Sequence, residues 1–300
     1  MSHPTHIDII EVGPRDGLQR EKTPIPAQDK IQMIHALVDA GIRAIQVTSF
    51  VHLKYVPQMA DAEDVCKGIS KEDGVIYSGL VLNMKGLERA HHAGLTHVDM
   101  SVSASDSHGR KNANRGLDEA RAGFREMVAK AQSLGMFVRG GIQCAFGYYE
   151  PDVTPEIVLD IAREYVELGV ESIALADSTG MGNPAQIKSM LNALDEVRGE
   201  LPVVLHLHDT RGMGLANVVA AVEAGCTRFD TAFGGMGGCN FIPEALGNIA
   251  TEDTINMLHA LGYETGVDIA KVAAVSRKLQ QTIGQALPGK LYSLLESPVT

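Results

Sequence analysis

The sequence is poor in the features that would carry it to a membrane, a secretory route or a nucleic acid. Its 300 residues contain no run of about 18 apolar residues, and the first six, Met-Ser-His-Pro-Thr-His, are polar. That predicts neither a membrane span nor a secretory signal. The four cysteines, at 66, 144, 226 and 239, include no Cys-x-x-Cys pair. Such spacing supports neither a zinc knuckle nor a disulfide framework, and it points to a reducing, cytoplasmic setting. Positive charge is scarce, with a formal net charge of −11 at pH 7. This argues against a nucleic-acid partner, whose phosphates need a basic face. It says less about small anionic substrates, since a few local cations outweigh a mean field. No linker or low-complexity stretch divides the chain.

One local pattern recurs throughout: the end of an amphipathic helix, a glycine, then a β-rich run. It appears at Ala40-Gly41-Ile42, Ala93-Gly94-Leu95, Leu134-Gly135-Met136, Leu168-Gly169-Val170 and Ala224-Gly225-Cys226. Glycine just past a helix accepts the left-handed conformation that closes it. Eight strand candidates emerge: Ile7–Val12, Ala44–Phe50, Val75–Leu82, His97–Ala104, Phe137–Phe146, Ser172–Ser178, Val203–Asp209 and Arg228–Phe233. Several are continuous in apolar and β-branched residues, as strands covered on both faces are. The clearest helix is Thr154–Leu168, with Thr154 as N-cap, Pro155 next and Gly169 as the stop.

The interval from Gly41 to Gly225 divides into six units of about 31 residues, the size of one β/α repeat. An open doubly wound sheet would present a glycine-rich phosphate turn after its first strand, and Gly13-Pro14-Arg15-Asp16-Gly17 is not G-x-G-x-x-G. The expected fold is therefore α/β, a (β/α)8 TIM barrel with a C-terminal helical extension. One catalytic domain is expected over 1–300, the barrel over about 7–262, then a helix and a loose tail over 263–300.

Active sites of such barrels lie at the C-terminal ends of the strands. There the first strand leads into Arg15-Asp16, either a salt bridge closing a loop or part of a site. The seventh carries His206-Leu207-His208, whose imidazoles share one face. Two buried imidazoles on an apolar strand are costly without partners, and neutral imidazole is a common metal ligand. After the eighth strand, Gly234, Gly235, Gly237 and Gly238 precede Cys239. That composition suits a mobile loop, or backbone approaching a ligand closely. On such a loop Cys239 reads as a reactive thiol more than as a small hydrophobe, whereas Cys66 (on a helix), Cys144 (on strand five) and Cys226 (entering strand eight) read as interior. Asn248 is either an N-cap or an amide-oxygen ligand. Asp16, His206, His208 and Asn248 form a mixed nitrogen/oxygen set that suits Mg²⁺ or Mn²⁺ better than a closed tetrahedral zinc site, with Zn²⁺ still compatible.

The motifs E-V-G-P-R-D-G-L-Q at 11–19, T-S-F at 48–50, V-P-Q-M at 56–59, H-x-H-D-T at 206–210, G-G-M-G-G-C at 234–239 and G-N-x-A-T-E-D at 247–253 resemble the 3-hydroxy-3-methylglutaryl-CoA lyase family. The likeness runs from about residue 7 to about 268. It implies a retro-Claisen cleavage of a 3-hydroxyacyl-CoA, such as 3-hydroxy-3-methylglutaryl-CoA, to acetyl-CoA and a keto acid, acetoacetate. It further implies that Asp16, His206, His208 and Asn248 hold a divalent cation and that Arg15 stabilises the developing enolate. Asp16 or His206 would take the hydroxyl proton, and Cys239 would protonate the departing acetyl-CoA carbon. Ser105, His108, Lys111 and Asn112 would meet substrate or CoA. The resemblance is incomplete at Gln46, where the wider superfamily carries glutamate, and in Asn240–Glu244 after the cysteine. Glutamine keeps an acceptor but loses a charge, so Arg15 is expected to lose a competing partner and substrate choice to shift, with only weak activity on 3-hydroxy-3-methylglutaryl-CoA itself. Two other readings compete. One is a condensing transferase of the isopropylmalate synthase type, opposed by the short chain after the barrel. The other is a non-catalytic metal-binding barrel, supported by Gln46 alone. Neither membrane nor nucleic acid is an expected partner, and a homo-oligomer is compatible with all of this.

Overall fold

The computed structural model describes residues 5–51, 56–238 and 247–295. All eight expected runs form strands: β1 Asp8–Glu11, β2 Ala44–Ser49, β3 Ile76–Leu80, β4 His97–Ser103, β5 Phe137–Gln143, β6 Ser172–Asp177, β7 Val203–Leu207 and β8 Arg228–Thr231. They pair in parallel in chain order, and β8 closes on β1 with Ile9 opposite Phe229 and Ile10 opposite Asp230. Around them lie α1 Ala27–Asp39, α2 Ala62–Gly68, α3 Met84–His92, α4 Asp106–Ala113, α5 Leu117–Ser133, α6 Pro155–Glu167, α7 Pro184–Asp195, α8 Gly214–Glu223, α9 Thr251–Ala260 and α10 Ile269–Ile283. None of the described helices is long and apolar enough to cross a membrane.

The strands stop one to three residues before the apolar runs do. Hydrophobicity continues past the last ladder bond because the first loop residues still cover the barrel mouth: Val12, Phe146 and Phe233 are all buried. Cys144, expected on strand five, accordingly lies just beyond it. Its φ of 56° leaves the strand, and its N–H donates to Ser178 Oγ at 3.0 Å.

The five helix-stop glycines have φ between 67° and 103°, as their role requires. At Gly41 a Cβ would also stand 2.3 Å from the Gly266 carbonyl oxygen, so backbone packs there against backbone. In α6, Thr154 Oγ1 accepts from Ile157 N at 3.4 Å, and Ile161 and Tyr165 are buried against the barrel. The Tyr165 ring stacks on Phe124 of α5 with centroids 4.4 Å apart, a contact worth about 1 kcal/mol beyond its buried area.

The C-terminal segment departs from expectation. Asp268 caps α10 by accepting from Ala270 N and Lys271 N, but the chain after it is not a loose tail through residue 295. Gly289 N donates to Gly234 O at 2.7 Å, Leu291 N to Asp253 Oδ1 at 2.7 Å, and Leu287 and Tyr292 are buried. The extension therefore seats the glycine-rich loop after β8.

Candidate active site and metal centre

At the C-terminal mouth, β1 runs into a wide turn over Gly13–Gly17 in which the Val12 carbonyl accepts from Asp16 N at 2.7 Å and Gly17 N at 3.3 Å. Pro14 suits this turn because its missing N–H has no ladder bond to make. The turn delivers Arg15 and Asp16, both buried, with Arg15 Nη1 2.5 Å from Asp16 Oδ1. The ion pair and the site are thus the same feature. Gln19 Nε2 donates to Asp16 Oδ1 at 3.1 Å and to the Gly238 carbonyl at 3.5 Å, joining this turn to the β8 loop.

His206 and His208 converge as their spacing implies, with Nε2 atoms 3.2 Å apart. One donor atom each from Asp16, His206 and His208 lies within 4.8 Å of the others. Asn248 is not an N-cap, because α9 begins at Thr251 behind Ala250 and Asn248 instead forms a bridge with His208. Its Nδ2 donates to Asp16 Oδ2 at 2.7 Å and to Met236 O at 2.9 Å. With both amide hydrogens committed, Asn248 Oδ1 is a buried acceptor without a hydrogen-bond partner. An orphaned amide oxygen beside a carboxylate and two imidazoles fits a divalent cation with mixed nitrogen and oxygen ligands. Gly237 explains part of the glycine run: a Cβ there would meet Asn248 Nδ2 at 2.4 Å and Asp16 Oδ2 at 2.9 Å.

The protonation states agree with this role. Burial, then the neighbouring His206, pushes His208 down to about 4, so it is neutral and able to offer a lone pair near pH 7. For Asp16, burial favours the neutral acid but is outweighed by Arg15, the two imidazoles and Asn248, which bring it down to about 2. The site therefore presents a carboxylate and a neutral imidazole side by side.

Gln46 of β2, at the position where glutamate was expected from the wider superfamily, accepts at its Oε1 from Arg15 Nε. The expectation that Arg15 loses a partner is thereby corrected: the hydrogen bond stays and only the negative charge is gone. The V-P-Q-M motif proves structural in this chain. Gln58 Oε1 accepts from Ile25 N at 3.2 Å and its Nε2 donates to Glu21 O at 3.0 Å, pinning the chain before α1.

Beyond β4 the four expected ligand contacts separate. Ser105 caps α4, accepting from His108 N at 3.0 Å while its hydroxyl donates to Asp152 Oδ2 at 3.0 Å. His108 is buried, with Nδ1 3.0 Å from Ser103 Oγ and Nε2 unpartnered. Lys111 is exposed and paired with Glu150 at 2.6 Å, and Asn112 is half-buried on the same helix. Cys239 lies outside the described residues. A cavity of about 300 Å³ opens at the opposite mouth, lined among others by Ser78, His97, Asp99, Arg139 and Glu171. Among the described residues it brings no three metal-ligating side chains together, so the chemistry belongs to the C-terminal mouth.

Sequence reasoning passed over Asp230, whose Oδ2 lies 3.0 Å from His206 Nδ1, and Glu11. The available signal for each was an acid near the C-terminal end of a barrel strand, the end where such sites lie. Glu11 accepts from Gly13 N at 2.6 Å, Phe233 N at 3.1 Å and the Thr251 hydroxyl at 2.7 Å, tying the first and last site loops together. Burial pushes its carboxyl up to about 8 against these hydrogen bonds. From the ordinary value of 4.5 up to about 8, the folded state then holds a proton that the unfolded state has released. This contribution is full at the acid end and declines by at most about 1.4 kcal/mol per pH unit as pH rises through that window. Glu11→Gln keeps the shape with no proton to lose, so its thermal midpoint is expected to fall less than wild type between about pH 5 and about pH 8. Parallel curves for the two proteins would show that Glu11 is ionised throughout.

The comparisons with known proteins agree with this geometry. The HMGL-like family model matches residues 6–279. The hydroxymethylglutaryl-CoA lyase of Bacillus subtilis is 39% identical over 298 residues, covering 99% of this chain and 100% of the relative. The mitochondrial hydroxymethylglutaryl-CoA lyase of Mus musculus is 41% identical over 295 residues, covering 94% of this chain and 90% of the relative. A solved HMG-CoA lyase of Acinetobacter baumannii, in complex with coenzyme A and 3-methylmalate, superposes with a TM-score of 0.94 at 36% identity, covering 100% of both chains. A closed barrel whose mouth gathers an aspartate, two histidines and an arginine, matched over nearly its whole length in these ways, places the chain in the HMGL-like family as a carbon–carbon lyase of the hydroxymethylglutaryl-CoA lyase type.

Proposed function

We propose that this protein is a cytoplasmic, metal-dependent lyase that cleaves 3-hydroxy-3-methylglutaryl-CoA, or a close 3-hydroxyacyl-CoA, to acetyl-CoA and a keto acid, acetoacetate in the first case. The observation that carries the reading is the convergence of Asp16, His206 and His208 around an unpartnered Asn248 oxygen, with Arg15 beside them. Mg²⁺ or Mn²⁺ held by these four residues would supply Lewis acidity toward the substrate's C3 hydroxyl and free carboxylate. Arg15, anchored by Gln46 and Asp16, stabilises the enolate oxygen that develops as the C2–C3 bond opens. Asp16 accepts the hydroxyl proton, or His206 does so where its Nε2 is not held by the cation, each being within the donor cluster. Cys239, which directly follows Gly238, donates the proton that the acetyl-CoA carbon takes up. Of the four residues after β4, the exposed Lys111 and half-buried Asn112 would meet the acyl-CoA, while Ser105 and His108, buried beneath them, would shape that wall from behind; a coenzyme A is present in the Acinetobacter baumannii complex.

The test is incubation of purified protein with Mn²⁺ and a panel of 3-hydroxyacyl-CoA esters, following free acetyl-CoA by mass spectrometry. Release from a 3-hydroxy-3-methylglutaryl-type ester supports the reading. Acetyl-CoA consumption with a 2-oxo acid would move it to a condensing transferase, and inertness toward the whole panel would leave a binding barrel.

Gln46 sets a second expectation. In Gln46→Glu the bond that Arg15 already makes from a charged donor becomes an ion pair with a charged acceptor as well, a gain of about 1 kcal/mol. The preference for 3-hydroxy-3-methylglutaryl-CoA over other esters of the panel is expected to rise by about fivefold to tenfold in kcat/KM. An unchanged ranking of substrates would show that residue 46 has no part in specificity.

A further inference from the structure

We propose that Asp230 is a positioning residue for His206, held in place by a largely buried polar chain, Asp230–Arg139–Asp99–Ser78, that runs through the barrel interior to the cavity at the opposite mouth. The chain is continuous. Asp230 Oδ2 meets His206 Nδ1 at 3.0 Å, and Asp230 Oδ1 accepts from Arg139 Nη1 at 2.6 Å. Arg139 Nε donates to Asp99 Oδ1, and the Ser78 hydroxyl donates to Asp99 Oδ2 at 2.7 Å. The links run from β7 and β8 across to β5, β4 and β3. Both oxygens of each carboxylate are engaged, so neither can turn.

Barrel interiors of this kind are ordinarily filled by branched apolar side chains. Two carboxylates and a guanidinium in that space are costly to desolvate, and apolar residues of similar volume would stabilise the fold at least as well. What the charged chain adds is orientation. Asp230, as a carboxylate, can only accept, so His206 must carry its proton on Nδ1. That leaves the Nε2 lone pair free on the side where His208 Nε2 lies 3.2 Å away and Asp16 completes the cluster. A neutral imidazole without this constraint could place its proton on Nε2 and offer the site no lone pair. Outer carboxylates of this type orient and strengthen metal-ligating histidines. The proposal deepens the reading of His206 as a ligand, and it rests on that reading for its effect on metal.

The experiment is ¹⁵N–¹H correlation NMR of histidine-labelled apoprotein together with Mn²⁺ titration followed by electron paramagnetic resonance. In wild type the His206 proton is expected on Nδ1, and a proton on Nε2 would overturn the proposal without any variant. In Asp230→Asn the amide must keep its oxygen toward Arg139 and turn its NH₂ toward His206. The proton is therefore expected to move to Nε2, and Mn²⁺ affinity to fall about 10-fold to 100-fold. A His206 that keeps its Nδ1 proton, with affinity within twofold of wild type, would reduce Asp230 to packing. Asp99→Asn, which leaves the His206 contact intact, is expected to weaken Mn²⁺ binding severalfold without moving the proton. Unchanged affinity there would end the chain at Arg139. If wild type shows the Nδ1 proton but binds no Mn²⁺, the ligand reading fails while the orientation of His206 by Asp230 stands.

Discussion

Replacing His208 by alanine is expected to lower metal-dependent turnover by about a thousandfold or more while the protein stays folded. The reason is the loss of one of two nitrogen donors from a set of four. His208 is buried and neutral, and its Nε2 stands 3.2 Å from that of His206. Methyl cannot replace a lone pair, and the remaining Asp16, His206 and Asn248 would share the cation with water. Lewis-acid stabilisation of a developing charge is worth several kcal/mol, and about 4 kcal/mol corresponds to about a thousandfold in rate. The barrel itself should survive, because His208 lies just beyond the end of β7 and the ladder does not depend on it. Circular dichroism would check the fold, and metal analysis after dialysis and reloading would check the site. Stoichiometric metal and turnover within tenfold of wild type would remove His208 from the ligand set.

The second large effect is expected at Arg15. Arg15→Gln should lower kcat by about 100-fold to 1000-fold, the usual cost of losing one fixed donor at a developing oxyanion, with KM changed far less. Arg15 touches Asp16 and Gln46 through one guanidinium, so it supplies positive charge beside the cation-binding carboxylate and not a ligand atom. Metal stoichiometry should therefore be retained, which separates this variant from His208→Ala. Steady-state kinetics and Mn²⁺ binding on the same preparation decide the matter. A variant that loses metal along with activity would make Arg15 a support for Asp16, and one with intact kcat would exclude it from the chemistry.

Much of the fold was legible because each local signal had a local cause. Glycine stops such as Gly41 and Gly169, the Thr154-Pro155 start of α6 and the doubly covered strands all follow from backbone sterics and burial within a few residues. The His206–His208 pair was legible for the same reason, since strand geometry alone puts both imidazoles on one side. Cys144 shows the limit. Hydrophobicity marks where a segment is covered, and covered segments extend past the last ladder bond, so the strand ended before the pattern did. The tail after α10 shows another, for its order comes from Gly234 and Asp253, residues more than thirty positions away in sequence.

The choice between alternatives at the site lay outside local reach. Asn248 is no helix cap because Asp16 and Met236, both remote in the chain, take its amide hydrogens and leave its oxygen over the cluster. Arg15 keeps its partner at Gln46 because β2 lies beside β1 and presents the glutamine oxygen to the guanidinium. Asp230, Arg139 and Asp99 stand on three separate strands and were unremarkable in each. Residue order determines which side chains a strand turns inward, since that depends on a two-residue period along one segment. Which inward side chains meet depends on barrel closure, which brings strands far apart in the chain to face one another across a shared interior, and their charges become costly or useful only there.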